Sequence, residues 1–236
     1  HFFFQHHDKK TKKKKMKIMH DSCCHDDYHA PDVVQNVLKS KMLLTAAKQS
    51  YKEDPEDLEH DGLKAELVLD TKNVDACVDF DAKIVIVSFK GTNVSSWNDL
   101  IADARLVFSD LKNATRFQSD HGYFKRTLQR CPHPMFKCFM ASHSLGGAMS
   151  SELQRMYPFV AFSKTFNSAV QPRIDFKTEE DVNMLRVYNE LDPLHKIFGG
   201  RRFKKKRVVE CKSKITNFLD YFKPSFLKAH SIQSFS

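Results

Sequence analysis

A chain of 236 residues suits one large α/β domain and is short for two. Its hydrophobic content of 41%, with 20 Phe, supports a substantial core and excludes wholesale disorder, while 7 Gly and 8 Pro exclude a collagen-like or loop-dominated chain. The net charge of +9 comes from two local runs, +3 within residues 1–30 and +6 within Arg201–Arg207, which argues against a nucleic-acid-binding face and for solvated basic loops.

Residues 1–30 predict a disordered leader. They begin at His1, carry half of the twelve His and hold a Lys-rich run from Lys9 to Lys17. Phe2-Phe3-Phe4 is too short for a signal-peptide core, so the chain as given is expected in the cytoplasm. No apolar run reaches the ~20 residues of a membrane span. His20, Cys23, Cys24, His25 and His29 include metal-ligand types, but lack the two-residue gap that lets paired thiolates grip one ion. Neither metal nor organic cofactor is expected.

From residue 31 to 236 the pattern is that of one folded domain. Asp32 suits a helix cap, and Val33, Val34, Val37, Leu38, Met42, Leu43, Ala46, Ala47 and Tyr51 recur at helical spacing. A turn-rich stretch follows to Gly62, then strands around 65–69 and 75–80. The β-branched run Ile84–Phe89 predicts a strand buried on both faces. Residues 135–141 predict another such strand, 146–157 a helix ended by Pro158, and 160–165 and 184–188 two more strands. Strands alternating with helices imply parallel pairing in an α/β fold. Cys138 falls in an apolar stretch and reads as buried; the spacing of Cys131 and Cys138 would also allow a disulfide.

Chemistry enters where the strand ending at Ala141 meets the next helix, at Ser142-His143-Ser144-Leu145-Gly146-Gly147. A serine nucleophile on a strand-to-helix turn stands in a strained backbone, so the positions two before and two after it need tiny side chains. Ser142 and Gly146 fill them. The helix N-terminus that follows aims backbone N–H groups at the position an oxyanion would take.

Several stretches resemble the class 3 lipases of the α/β-hydrolase fold, in that family's order. Ser88–Thr92 is similar to the oxyanion strand and loop, Trp97–Leu100 to the segment after it, and His121-Gly122-Tyr123 to the short motif before the elbow. Ser142–Gly147 is similar to the elbow, Leu185–Asn189 with Asp192 to the strand and loop of the triad acid, and Lys228–Ser231 to the histidine segment. The resemblance spans residues 31–235 and departs at four places. Lys90 stands where the family usually has Arg, Ser142 where it usually has Gly, and His195 where it often has Pro. Its Gly-Ser-Pro-Arg type of stretch survives only as Asn167–Arg173.

The fold implied is a single-domain α/β-hydrolase with a mostly parallel sheet flanked by helices. The activity implied is hydrolysis of lipid carboxylic esters, with transient contact to a lipid surface; a phospholipase A1, a small-ester esterase and a catalytically silent binding protein are the alternatives. In this fold the partners follow the nucleophile in the order acid, then His. After Ser144 only His195 and His230 remain, and His195 lies too near the best acid to reach Ser144 from another strand end, so His230 is the better base. Asp192 follows directly on an apolar strand and is the better acid, with Asp220 second. Thr92 and Leu145 would supply the oxyanion N–H groups.

Residues 93–106 follow Thr92 and predict a short amphipathic lid, with Trp97, Leu100, Ile101 and Ala104 on one side and Asn98, Asp99, Asp103 and Arg105 on the other. Activity on a short-chain ester should therefore rise sharply as the ester passes its solubility limit, and Trp97 fluorescence should shift blue on adding lipid vesicles. A hyperbolic rate curve through that limit, with an unchanged Trp97 spectrum, would remove the lid.

Overall fold

The structure is a computed structural model that describes residues 30–92, 111–169, 183–189, 192, 208–211 and 230–235. All but the first of these residues belong to one compact unit, Pro31–Ser236. The leader, the 93–106 segment, the basic run 201–207, His195 and Asp220 lie outside the described residues.

Among the described residues eight strands form one sheet in the order β1 to β8. They are β1 (Leu58–His60), β2 (Leu63–Asp70), β3 (Val74–Asp79), β4 (Ile84–Phe89), β5 (Lys137–His143), β6 (Phe162–Phe166), β7 (Met184–Asn189) and β8 (Val208–Cys211). β1 through β4 pair antiparallel as a meander, and β4 through β8 pair parallel. The expectation of parallel pairing from alternating strands and helices describes the second half of this mixed sheet. The antiparallel half begins with β1, inside the stretch read as turns: three residues are too few to show a period.

The helices are α1 (Ala30–Lys39), α2 (Met42–Gln49), α3 (Thr115–Arg130) and α4 (Leu145–Met156). The apolar stripe read as one helix is broken between α1 and α2. Ser40 Oγ donates to the Val37 carbonyl (3.0 Å) and accepts from Met42 N–H (3.2 Å), so its hydroxyl satisfies both the end of one helix and the start of the next. α3 is not among the predicted elements; its inward face, Phe117, Asp120, His121, Phe124 and Thr127, mixes polar with apolar residues. No described helix is long and apolar enough to cross a membrane.

Period-two alternation divides the core between the two sheet faces. From β4, Val85, Val87 and Phe89 pack with α3 and α4, while Ile84 and Ile86 pack with α2 and with Ile232 and Phe235 of the C-terminal segment. Lys48 Nζ donates to the Phe235 carbonyl (2.6 Å), which ties that segment to α2. Cys131 and Cys138 are buried free thiols, and burial raises the pKa of both.

One core carboxyl is out of place. Asp75 in β3 is buried, and its Oδ2 has no hydrogen-bond partner among the described residues. Burial, with the Asp70 carboxylate across the β2–β3 ladder, pushes it from the ordinary 3.8 up to about 7. The folded chain thus keeps a proton that the unfolded chain has lost, so stability falls as pH climbs between those values. Asp75→Asn should match the parent's Tm near the lower value and exceed it by several degrees above the upper one, in thermal melts across pH.

Candidate active site

The turn from β5 into α4 carries Ser144 at φ 54° and ψ −125°, a left-handed backbone position that a residue with a Cβ enters at a cost of about 1–3 kcal/mol. Three main-chain hydrogen bonds hold it there. Ser144 N–H donates to the Phe166 carbonyl (3.0 Å), and the Ser144 carbonyl accepts from Gly147 (2.9 Å) and Ala169 (3.0 Å). The small neighbours are needed for space. A Cβ on Gly146 would come within 2.1 Å of the Phe89 carbonyl oxygen, and Ser142, fully buried, lies between Phe89 of β4 and Thr165 of β6.

Ser144, Asp192 and His230 come together in one buried hydrogen-bonded chain. His230 Nε2 lies 2.7 Å from Ser144 Oγ, and His230 Nδ1 lies 2.6 Å from Asp192 Oδ2. A carboxylate only accepts, so Nδ1 carries the proton and Nε2 presents its lone pair to the serine hydroxyl. Asp192 sits just past the carboxyl end of β7, its N–H donating to the Asn189 carbonyl (2.9 Å). All three residues are at most 2% exposed.

The second predicted donor loop lies against the elbow. Phe89 of β4 pairs in register with Ser142 of β5, which brings Lys90–Thr92 alongside Ser144. Contact there is so close that a Cβ on Gly91 would meet Ser144 Cβ and the His143 carbonyl oxygen, each at 2.7 Å. Thr92 is one residue beyond that contact, and Leu145 begins α4, where the first N–H groups have no partner within the helix.

Four residues without a catalytic role in the sequence reading, among them His143 inside the elbow motif, hold the site together. Tyr51 Oη accepts from Gly91 N–H (2.7 Å) and lies 2.7 Å from His143 Nδ1. His143 Nε2 faces the His230 carbonyl at 2.5 Å, and a carbonyl only accepts, so Nε2 is protonated and Nδ1 accepts from the Tyr51 hydroxyl. Burial, with the nearby His230, pushes the pKa of His143 down to about 3. Two imidazoles thus stand with ring centres 5.0 Å apart; His143 has both nitrogens engaged and stays neutral, and it is His230 that faces Ser144 Oγ.

Arg116 of α3 donates to the Lys90 carbonyl and, at 3.2 Å, to Thr92 Oγ1, and Asp120 faces its Nε at 3.4 Å. A guanidinium cannot accept, so the Thr92 hydroxyl keeps its own proton for another acceptor. Lys90, the departure at the family's Arg position, lays its ammonium 5.2 Å from the Tyr51 ring centre. Asn167, the fourth residue, bridges the acid and base segments. In sequence Tyr51 is the last residue of an apolar helical stripe and Arg116 a lone charge, so neither carries a local signal for the site. Trp97, Leu100 and Ile101, the predicted lid residues, lie outside the described residues. Those residues hold no group of three or more His, Cys, Asp or Glu that could bind a metal.

No family model matches this sequence, and no match to a curated protein is found. Solved structures do resemble it. Lipase II from Rhizopus niveus is 19% identical with a TM-score of 0.46, the match covering 72% of this chain and 76% of that one. A fungal lipase is 14% identical with a TM-score of 0.49, over 85% of this chain and 93% of that one. A triacylglycerol lipase from Penicillium expansum is 16% identical with a TM-score of 0.41, over 78% of each chain. All three are lipases. The mixed α/β fold of this chain is described by its own strand order and pairing, with the strained elbow between β5 and α4.

The Tyr51 hydroxyl satisfies two buried groups at once, so Tyr51→Phe leaves Gly91 N–H and His143 Nδ1 unpaired. At about 1–3 kcal/mol for each orphaned group, the variant should lose roughly 2–6 kcal/mol of unfolding free energy in urea titration.

Proposed function

We propose that this chain is a serine hydrolase that cleaves carboxylic esters of lipids through an acyl-enzyme. The hydrogen-bonded chain from Ser144 Oγ through His230 to Asp192, set on a left-handed elbow at a helix N-terminus, is the observation that carries this reading. The lipid class is supported by the motif resemblance and by the amphipathic 93–106 segment that follows the oxyanion loop.

Ser144 Oγ attacks the ester carbonyl carbon as His230 Nε2 takes its proton. Asp192 accepts from Nδ1–H throughout, holds the tautomer and stabilises the imidazolium. The carbonyl oxygen becomes an oxyanion that receives N–H groups from Leu145 and Thr92 and the Thr92 hydroxyl proton. Arg116 leaves that proton available by donating to the same oxygen. Collapse breaks the bond to the alkoxy oxygen, which leaves with the proton from His230. Water then attacks the acyl-serine, His230 takes its proton and returns it to Ser144, and the free acid departs. Losing one oxyanion donor in such a site typically costs ~10²–10³ in rate.

Fluorophosphonate labelling with a chain-length series of nitrophenyl esters and a phospholipid panel tests the reading. The parent should label at Ser144 and favour acyl chains over short acetates. Ser144→Ala should abolish labelling, and His230→Ala should lower kcat by several orders of magnitude in folded protein. A parent that neither labels nor hydrolyses any member of the panel, or a Ser144→Ala variant that does both, removes the proposal.

A further inference from the structure

Asn167 occupies a left-handed backbone position, φ 44°, directly after β6. Glycine enters that region freely, and asparagine is among the few side chains that tolerate it. The backbone there suits glycine, so the side chain needs a reason to be there. It is fully buried.

Its contacts supply the reason. Asn167 Nδ2 donates to the main-chain carbonyl of His230 at 3.0 Å. Asn167 Oδ1 accepts from the main-chain N–H of Asn189 at 2.8 Å. One partner can only accept and the other can only donate, so the orientation of the amide is fixed by its neighbours. Asn189 ends β7, and its carbonyl takes the N–H of Asp192. A single carboxamide therefore spans the acid-bearing segment and the base-bearing segment. Asn167 N–H also donates to the Val187 carbonyl (2.8 Å), which locks its own backbone to β7.

The His230 carbonyl receives a second buried donor, His143 Nε2. Two donors on one carbonyl hold the peptide of the base residue in two directions. The imidazole of His230 has then little left to choose but its side-chain torsions, and those are set by Asp192 on one side and Ser144 on the other.

We propose that Asn167 is a positioning residue for the base: its carboxamide holds the His230 main chain at the distance from the Asp192 segment at which imidazole, carboxylate and serine align. The effect belongs to the chemical step. Displacing a reacting group by about 1 Å can cost on the order of 10²-fold in rate, whereas ground-state binding of an ester needs no proton transfer.

This inference rests on the serine-hydrolase reading, so the parent's hydrolysis and Ser144 labelling are measured first; a parent without either removes that reading and leaves nothing to position. With an active parent, two variants with opposite structural risks are compared. Asn167→Gly suits the backbone and deletes the amide. Asn167→Asp keeps the shape and the acceptor toward Asn189 but, ionised at alkaline pH, has no proton for the His230 carbonyl. Steady-state kinetics on one nitrophenyl ester at alkaline pH, with thermal melts to establish folding, should give a kcat at least about tenfold below the parent and a KM within about twofold. A further signature is the low-field Nδ1 proton of His230, which should shift or broaden in Asn167→Gly. Either variant, cooperatively folded, with kcat within threefold of the parent overturns the proposal, and so does a loss carried by KM alone.

Discussion

The register of β4 against β5 decides where every group at the site can be. Phe89 stands beside Ser142, so the carboxyl end of β4 arrives at the level of the elbow, and Gly146 must lack a Cβ because the Phe89 carbonyl occupies that space. The next residues of β4 then have only one way to run, against Ser144, where Gly91 again admits no side chain. A one-residue slip would reverse the inward and outward faces of β4 and place a charged or bulky group against the serine. The two core faces prevent that slip, since Val85, Val87 and Phe89 fit one and Ile84 and Ile86 the other.

A polar framework is built on this apolar one, and it joins elements remote in sequence. Tyr51 comes just after α2, Arg116 from α3, His143 from β5 and Asn167 from the end of β6, and each ends on a main-chain group of the loops beside Ser144. Main-chain targets suit this purpose. A side chain that grips a main-chain group fixes the backbone and leaves the side chains of the site to be set by their own contacts. Where the partner is buried, as at His143 and the His230 carbonyl, a member removed leaves it without water to replace the bond. Burial also keeps His143 neutral, so that a second imidazole can sit beside His230 without competing for the proton.

The same low dielectric that serves the site strains the fold at Asp75, whose carboxyl is held protonated well above its ordinary range by burial and by Asp70. Its backbone pairs with Ser88 of β4, two residues before Lys90. Lys90 N–H in turn donates to the Asn73 carbonyl at 2.9 Å, so the start of the Lys90–Thr92 loop is anchored to the turn that precedes β3.

What the amino-acid sequence determined by itself was whatever depends on local period and local sterics. Apolar runs and their interruptions placed β2 to β7 and α4, because burial on one or both faces imposes a pattern that neighbours in sequence must share. The elbow was legible for a similar reason: the need for small residues around Ser144 is a steric rule within five positions. Chain order then narrowed acid and base to Asp192 and His230 with few competitors. Tertiary structure alone decided the rest. Whether those three side chains meet, which nitrogen of His230 carries the proton, and that Tyr51, Arg116, His143 and Asn167 hold main-chain groups at the site are relations among residues up to 92 positions apart. A hydrogen bond of that reach leaves no periodic trace. In sequence Tyr51 is one more apolar residue on a helical stripe and Asn167 one more turn residue, and only the packed sheet gives each of them two buried partners.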